Sequence, residues 1–237
     1  QIRRVLNENG TVFVHTNPSL ETSFRLILEQ VFEGRFVTEI ILPGKIRHLS
    51  RIARPVTNHF SFLVYSKTEE FISNPQYVPL SANEAADYNR TDSKGLYRLS
   101  SLLQPGPMSR RQFSWKGYSL PENKIWKFSE DVLNELEREG RIFFSEKGTP
   151  PQLKTYFKEQ QGKLIGSIWD DINPIPSQEE RSEAQRIFTA QQSLQLLRRV
   201  ISIGSNPADW IIDPFLGSGT SAVAASIEHR HWIGCDV

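Results

Sequence analysis

A single cysteine, Cys235, occurs among the 237 residues, so the chain can form no internal disulfide and no cysteine-based metal site. That usage fits a reducing compartment. No apolar run approaches the ~20 residues that a membrane-spanning helix requires. The first residues, Gln1-Ile2-Arg3-Arg4, do not read as a secretory signal. A cytoplasmic protein without a membrane partner is therefore expected. Net charge is nearly absent as well, at +1, so the whole-chain balance says nothing about partners and local charge must be read instead. What is present is an ordinary globular mixture, 38% hydrophobic and 23% charged, long enough for one large core or a core plus a smaller lobe.

The most informative stretch lies near the end. Trp210-Ile211-Ile212 reads as a short buried strand, closed by Asp213-Pro214 and followed by the turn Phe215-Leu216-Gly217-Ser218-Gly219-Thr220. Ser221 to Glu228 then reads as a small-residue helix. Gly217, Gly219 and Ala222 fit the G-x-G-x-x-G/A pattern, in which glycines let the backbone approach a nucleotide-like ligand at a helix N-terminus. Alone the pattern is weak, because many glycine turns after strands are only turns. A second apolar run, Trp232-Ile233-Gly234-Cys235, strengthens it by ending in Asp236, at the spacing of an acid that takes ribose hydroxyls. The pattern leaves the cofactor open.

Earlier segments alternate strand and helix. Ile2 to Leu6 reads as the tail of a helix, closed by Asn9-Gly10. Thr11 to His15 is a strand, and Leu20 to Phe32 has helical apolar spacing at Leu20, Phe24, Ile27, Leu28, Val31 and Phe32. Phe36 to Leu42 and Phe60 to Tyr65 are two further strands, which argues for an α/β sheet. Further on, Ser129 to Arg138 reads as a capped helix followed by a strand at Arg141 to Phe144. Leu153 to Gln160 reads as a short helix, and Gln178 to Arg186 as a loop. Ser193 to Ile203 is a helix whose Leu196, Leu197 and Val200 would pack on the sheet.

Two segments are locally basic. Pro43 to Arg54 carries Lys45, Arg47, Arg51 and Arg54 with no acid; it is either a solvated loop or a phosphate-holding one. From Asn74 the chain turns irregular and rich in Ser, Asn, Pro and Gly, as a second lobe would be. Lys94 to Lys127 holds seven Lys/Arg, Arg110, Arg111 and Lys116 among them, against one acid. Tyr97, Phe113, Trp115, Tyr118 and Trp126 are interleaved with these cations. Positive charge with planar side chains suits a phosphate backbone and stacked bases. The competing reading makes the aromatics the lobe's own core.

A dinucleotide-binding domain ordinarily opens with its glycine turn, whereas here the turn comes last. If one sheet holds all the strands, the chain is circularly arranged, with a lobe inserted in the middle. In that arrangement the chain resembles the DNA amino-methyltransferases of the permuted class. Asp213-Pro214-Phe215-Leu216-Gly217-Ser218-Gly219-Thr220 resembles that family's D-P-F-x-G-S-G-T motif, and His231 to Asp236 its following strand. Supporting segments are Asn9 to Val14, Phe62 to Lys67, Glu139 to Ile142 and Trp169 to Ile172.

The resemblance implies a doubly wound, Rossmann-like α/β methyltransferase sheet, circularly permuted, in residues 1–73 and 166–237. An inserted target-recognition lobe would span 74–165. It implies transfer of a methyl group from S-adenosylmethionine to an exocyclic amine of adenine or cytosine in double-stranded DNA, with a restriction subunit as a partner of some members. Asp213, Pro214, Phe215, Gly217, Ser218, Gly219, Thr220 and Asp236 would then hold the cofactor. Lys45, Arg47, Arg51, Arg54, Arg110, Arg111 and Lys116 would hold DNA.

Two departures stand out. The family's catalytic tetrapeptide, Asp/Asn/Ser-Pro-Pro-aromatic, is absent from residues 1–237, and Asn74-Pro75-Gln76-Tyr77 lacks its second proline. No catalytic residue is therefore assigned, and the chain is expected to be a fragment. The family's Tyr-Pro-Thr-Gln-Lys-Pro-like run is replaced by Phe188-Thr189-Ala190-Gln191-Gln192-Ser193. A non-catalytic DNA-binding or regulatory homologue is the alternative reading.

Overall fold

The computed structural model describes residues 1–44, 56–107, 111–145, 148–172 and 192–236. Ile2–Val5 forms one helical turn, α1, and the chain then bends so that the Gly10 amide donates to the Asn7 carbonyl at 3.0 Å. Thr11–Thr16 is β1. Pro18–Val31 is α2, started by Asn17, whose side chain accepts from the Ser19 and Leu20 amides, both at 3.1 Å. Pro18 fits the first helical position because its missing N–H is not needed there. Phe36–Pro43 is β2 and His59–Ser66 is β3. β3 lies between β1 and β2 and runs antiparallel to both, with Phe13 opposite Val64 and Ile40 opposite Phe62. β1 and β2 thus run parallel to one another, with α2 in the connection between them.

β3 is buried continuously from Ser61 to Ser66 because both faces of this sheet are covered. Leu63 and Tyr65 pack with Leu28 and Phe32 of the α2 region. Phe62 and Val64 pack on the other face with Trp169, Ile172 and Leu196. The helical reading of 20–32 holds, but its stripe is narrower than the apolar spacing suggests. Only Leu28 and Phe32 are buried, while Leu20, Phe24, Ile27 and Val31 are exposed. A straight helix presents about one residue in three or four to a flat sheet, and the remaining apolar positions face away.

The chain leaves this unit along Tyr77–Val78 (β4) and returns along Lys163–Leu164 (β11), dividing into one compact unit of 1–77 with 164–237 and another of 78–163. In the second unit Ala82–Ala86 (α3) starts with a reciprocal cap between Ser81 and Glu84. Arg90–Asp92 (β5), Gly95–Ser101 (β6), Ile142–Phe143 (β9) and Gln152–Tyr156 (β10) form an antiparallel sheet in the order β5-β6-β10-β9. Leu103–Pro105 (β7) and Lys124–Trp126 (β8) form an antiparallel pair, and Glu130–Arg138 (α4) follows it. Ser129 stands at the N-cap of α4 but makes no side-chain cap bond, and Gly140 closes the exit at φ +67°.

The expected helix at 153–160 is corrected. β10 pairs through Tyr156 with Tyr97, and only Phe157–Glu159 makes a short 3-10 turn. Sheet pairing overrides a segment whose local propensity is indifferent.

Returning to the first unit, Ile168 bridges to Ile41 in parallel, and Trp169 and Ile172 enter the core. Leu194–Gly204 is α5, capped by Ser193, which accepts from the Leu196 amide at 3.2 Å. Leu196 and Val200 face the β1-β3-β2 sheet as the spacing suggests. Leu197 instead joins Ile201, Ile211, Ala224 and Ala225. Trp210–Asp213 (β12), Thr220–Ile227 (α6) and His231–Gly234 (β13) complete the unit, with β12 and β13 parallel. The reading of β12 as buried is corrected: Trp210 is 62% and Ile212 45% exposed. Among the described residues β12 has β13 as its strand neighbour, and Ile211 packs in the cluster with Ala224 and Ala225 of α6. No described helix is long and apolar enough to cross a membrane.

Candidate methyl-donor site

The segment from β12 to β13 is a complete strand–turn–helix–strand unit. The polypeptide must reverse sharply after Asp213, and the two glycines supply the backbone for it: Gly217 has φ +53° and Gly219, at the N-cap of α6, has φ +79°. These are left-handed values that a side chain disfavours. Nothing lies within 4 Å of where a Cβ on Gly219 would stand, so that side of the turn is open to a ligand. Phe215 stands beside it and is 80% exposed. Ala222, Ala224 and Ala225 are buried, which lets α6 approach its neighbours closely.

Asp213 holds the turn together. One carboxylate oxygen accepts from the Phe215 amide at 3.0 Å, and the other accepts from Ser221 Oγ at 2.5 Å. The carboxylate therefore spans the turn from strand end to helix start, which supports its turn-orienting role over a direct contact with a ligand. Ser218 and Thr220 bond to each other through their hydroxyls at 2.9 Å. Two backbone bonds then tie the turn to the second strand: the Leu216 amide donates to Cys235 O at 2.9 Å, and the Cys235 amide donates to Asp213 O at 3.1 Å. Asp236, exposed, follows directly and so sits beside the turn. Gly234 permits this closeness, since a Cβ there would lie 2.7 Å from a methyl of Leu216. Gly234 and Leu216 lie inside the two stretches read from the sequence, but that one must be a glycine to make room for the other appears only in their packing.

The expected DNA-holding residues fare differently. Lys45, Arg47, Arg51, Arg54 and Arg110 lie outside the described residues. Arg111 donates to the Lys127 carbonyl at 3.2 Å, and Lys116 pairs with Glu137 at 2.9 Å, both within the smaller unit. The aromatic residues interleaved with them do not form a stacking platform, which corrects that expectation. Trp115 and Trp126 are 2% and 0% exposed and pack with Leu102, Leu133 and Ile142, joined by Phe113 and Tyr118. Their indole N–H groups are satisfied internally, by Asn134 at 2.8 Å and the Phe113 carbonyl at 2.9 Å. Tyr97 is buried against Tyr156. A lobe of this size needs its large side chains for its own core.

Elsewhere, Asn74 is engaged by the carbonyls of Ser202 and Ser205 and by Asn206, as part of a connecting loop. Of the run 188–193, only Gln192 and Ser193 are described. Among the described residues no group of three or more His, Cys, Asp or Glu is placed to hold a metal ion.

Comparison with known proteins converges on one group. The N6_N4_Mtase family model, described as DNA methylase, matches residues 1–237. Type II methyltransferase M.EcaI of Enterobacter cloacae is 27% identical over 238 residues, covering 99% of this chain and 52% of its own length. The Mod subunit of the type III restriction-modification enzyme StyLTI of Salmonella typhimurium is 22% identical over 94% of this chain and 36% of its own. The chain thus spans about half or less of the length of these curated relatives. Among solved structures, the cytosine-N4-specific PvuII DNA methyltransferase superposes with a TM-score of 0.52 at 13% identity. It covers all of this chain and 62% of the other, which shows a shared Rossmann-like α/β fold.

Proposed function

The chain belongs to the DNA methylase family, and on that premise we propose that its glycine turn binds S-adenosylmethionine for methylation of an exocyclic amine of adenine or cytosine in double-stranded DNA. The observation that carries this reading is the tie between Leu216 and Cys235, which sets an open glycine turn beside an acid at the end of the next strand. When bound, S-adenosylmethionine supplies an electrophilic methyl group on a sulfonium.

The chain's own residues position it. Gly217 and Gly219 leave the backbone accessible, and the N-terminus of α6 faces the polar end of the donor. Asp236 accepts from the ribose hydroxyls. Phe215 offers an exposed aromatic face. Asp213, engaged with Phe215 and Ser221, keeps the turn in shape, and Pro214, Ser218 and Thr220 complete its backbone. Fixing the donor in this way contributes through orientation, because the reacting groups must meet in line.

DNA would be held by the basic residues of 45–54 and of the smaller unit, with Arg110, Arg111 and Lys116 as candidates. A cytoplasmic setting and a restriction subunit as partner belong to the same reading.

Titration with S-adenosylmethionine tests the donor site. Gly217→Asp and Asp236→Ala should each weaken binding by about tenfold or more, ~1.4 kcal/mol. Unchanged affinity in both would overturn the assignment. DNA binding should fall steeply with salt and weaken on neutralising Arg110, Arg111 and Lys116.

A further inference from the structure

His15 of β1 has its Nε2 buried and without a hydrogen-bond partner. Its Nδ1 lies 3.5 Å from Nε2 of Gln192, just ahead of the Ser193 cap of α5. With the Gln192 amide nitrogen turned toward the ring, Nδ1 accepts, and in that tautomer the ring proton resides on Nε2. The unpartnered atom is thus an N–H donor. The ring stacks on Phe60 at 5.5 Å and meets Phe62 at 5.0 Å. Buried donors in native proteins nearly always have an acceptor, so this group calls for one.

The position of His15 follows from contacts within the first unit. The far end of α5 meets the start of β1, where Thr11 Oγ1 approaches the Gly204 carbonyl at 3.5 Å. The near end of α5, at Gln192, meets the last turn of β1, at His15. α5 and β1 are therefore antiparallel. Arg198 and Ser202, toward the far end of α5, bond to Glu228 at the end of α6, and Ala208, just before β12, bonds to His229. β12 therefore starts at the far end of α5 and runs toward its N-terminus. The glycine turn and His15 lie at the same end of the unit.

The character of the missing acceptor follows from the surroundings. Among the described residues the ring's aromatic contacts are two phenylalanines and its polar contact is one amide. Burial pushes the imidazole below its ordinary pKa, so it is neutral. A carboxylate against Nε2 would favour the charged ring instead. A neutral N–H set in an aromatic wall suits a planar heterocycle that presents a ring nitrogen or carbonyl oxygen.

We propose that His15 donates its Nε2–H to a ring acceptor of the target base extruded from DNA, and so helps to position that base. This inference rests on the DNA methyltransferase reading above. No proton is transferred; the contact is a hydrogen bond.

The experiment uses the full-length protein and a short duplex carrying the site mapped from genomic DNA that it methylates. A matched duplex, abasic at the target position, serves as control. The readout is the ratio of affinities for intact and abasic target, measured beside S-adenosylmethionine affinity. His15→Phe keeps the ring's bulk and removes the donor. It should lower the ratio about tenfold, the effect of one ordinary hydrogen bond, and leave S-adenosylmethionine affinity unchanged. His15→Gln, which retains an N–H, should restore part of the ratio. Should His15→Phe lose its cooperative thermal transition, His15→Leu takes its place.

An unchanged ratio overturns the proposal, as does a loss confined to S-adenosylmethionine binding. If the unsubstituted protein binds neither S-adenosylmethionine nor DNA, the methyltransferase reading itself fails and takes this inference with it. That outcome is visible before any variant is made.

Discussion

The amide of Leu216 donates to the carbonyl of Cys235, closing a ring that the Cys235 amide completes on Asp213. Through it the glycine turn after β12 and the end of β13 are tied together, and Asp236 is delivered next to the turn by backbone bonds alone. The space for this ring exists because residue 234 has no side chain.

Gly234→Ala would bring a Cβ to 2.7–3.0 Å from three atoms of the Leu216 side chain. Leu216 would have to move, and the turn with it. The expected cost is about 1–3 kcal/mol, together with weaker S-adenosylmethionine binding, read by thermal melting and titration. If melting falls while donor affinity is unchanged, the ring is structural only.

Gly219→Ala meets no steric obstacle, yet the backbone there sits at φ +79°. Strain alone should cost about 1–2 kcal/mol. Gly219→Asn, which tolerates the left-handed region better, should recover part of that loss in the same denaturation experiment.

Trp126 is fully buried between β8 and the rest of the lobe core. Trp126→Ala should destabilise the smaller unit by about 3–5 kcal/mol. Lys116→Ala breaks only an exposed pair with Glu137 and should cost less than about 1 kcal/mol. Urea unfolding followed by fluorescence distinguishes the two, and a mild effect at Trp126 would reopen a stacking role for it.

Arg199 meets Asp171 through two parallel bonds, at 2.8 and 2.5 Å, while its guanidinium lies 5.2 Å from the Trp169 ring centre. The arginine's hydrogen bonds hold the Asp171 carboxyl below its ordinary value. A depressed carboxyl stabilises the fold above its unfolded pKa and loses that contribution as pH falls through the folded one. Stability should therefore decline below about pH 4, and Asp171→Asn should flatten that decline in acid denaturation curves.

Tyr65 and Tyr156 act at the opposite limit. Burial first, then hydrogen bonds to Glu29 and Asp92, push both phenols up to about 12. Raised values favour the protonated form in the fold. Their contribution is complete below about pH 10 and is lost as pH rises toward 12. Alkaline difference spectroscopy should show two late-titrating tyrosines, with unfolding beginning as they ionise. Tyr156→Phe should remove one of them.

Local chemistry was enough to locate the glycine turn. Asp213-Pro214 ends a strand, Gly217 and Gly219 alone tolerate the turn that follows, and these needs are written in neighbouring residues. The helices at α2 and α5 were equally legible, since apolar period and capping residue are both short-range signals.

Tertiary structure decided what each apolar residue faces. Trp115 and Trp126 could have been a stacking surface or a core, and their neighbours in sequence do not distinguish the two. They became core because Leu102, Leu133 and Ile142, distant along the chain, close over them. Leu153–Tyr156 could coil or extend until β6 offered an edge. Trp210 and Ile212 read as buried, yet burial is a property of what lies opposite. His15 shows the same limit: a histidine in a strand carries no mark of a missing partner. Its loneliness appears only when Phe60, Phe62 and Gln192 assemble around it and leave one nitrogen unsatisfied.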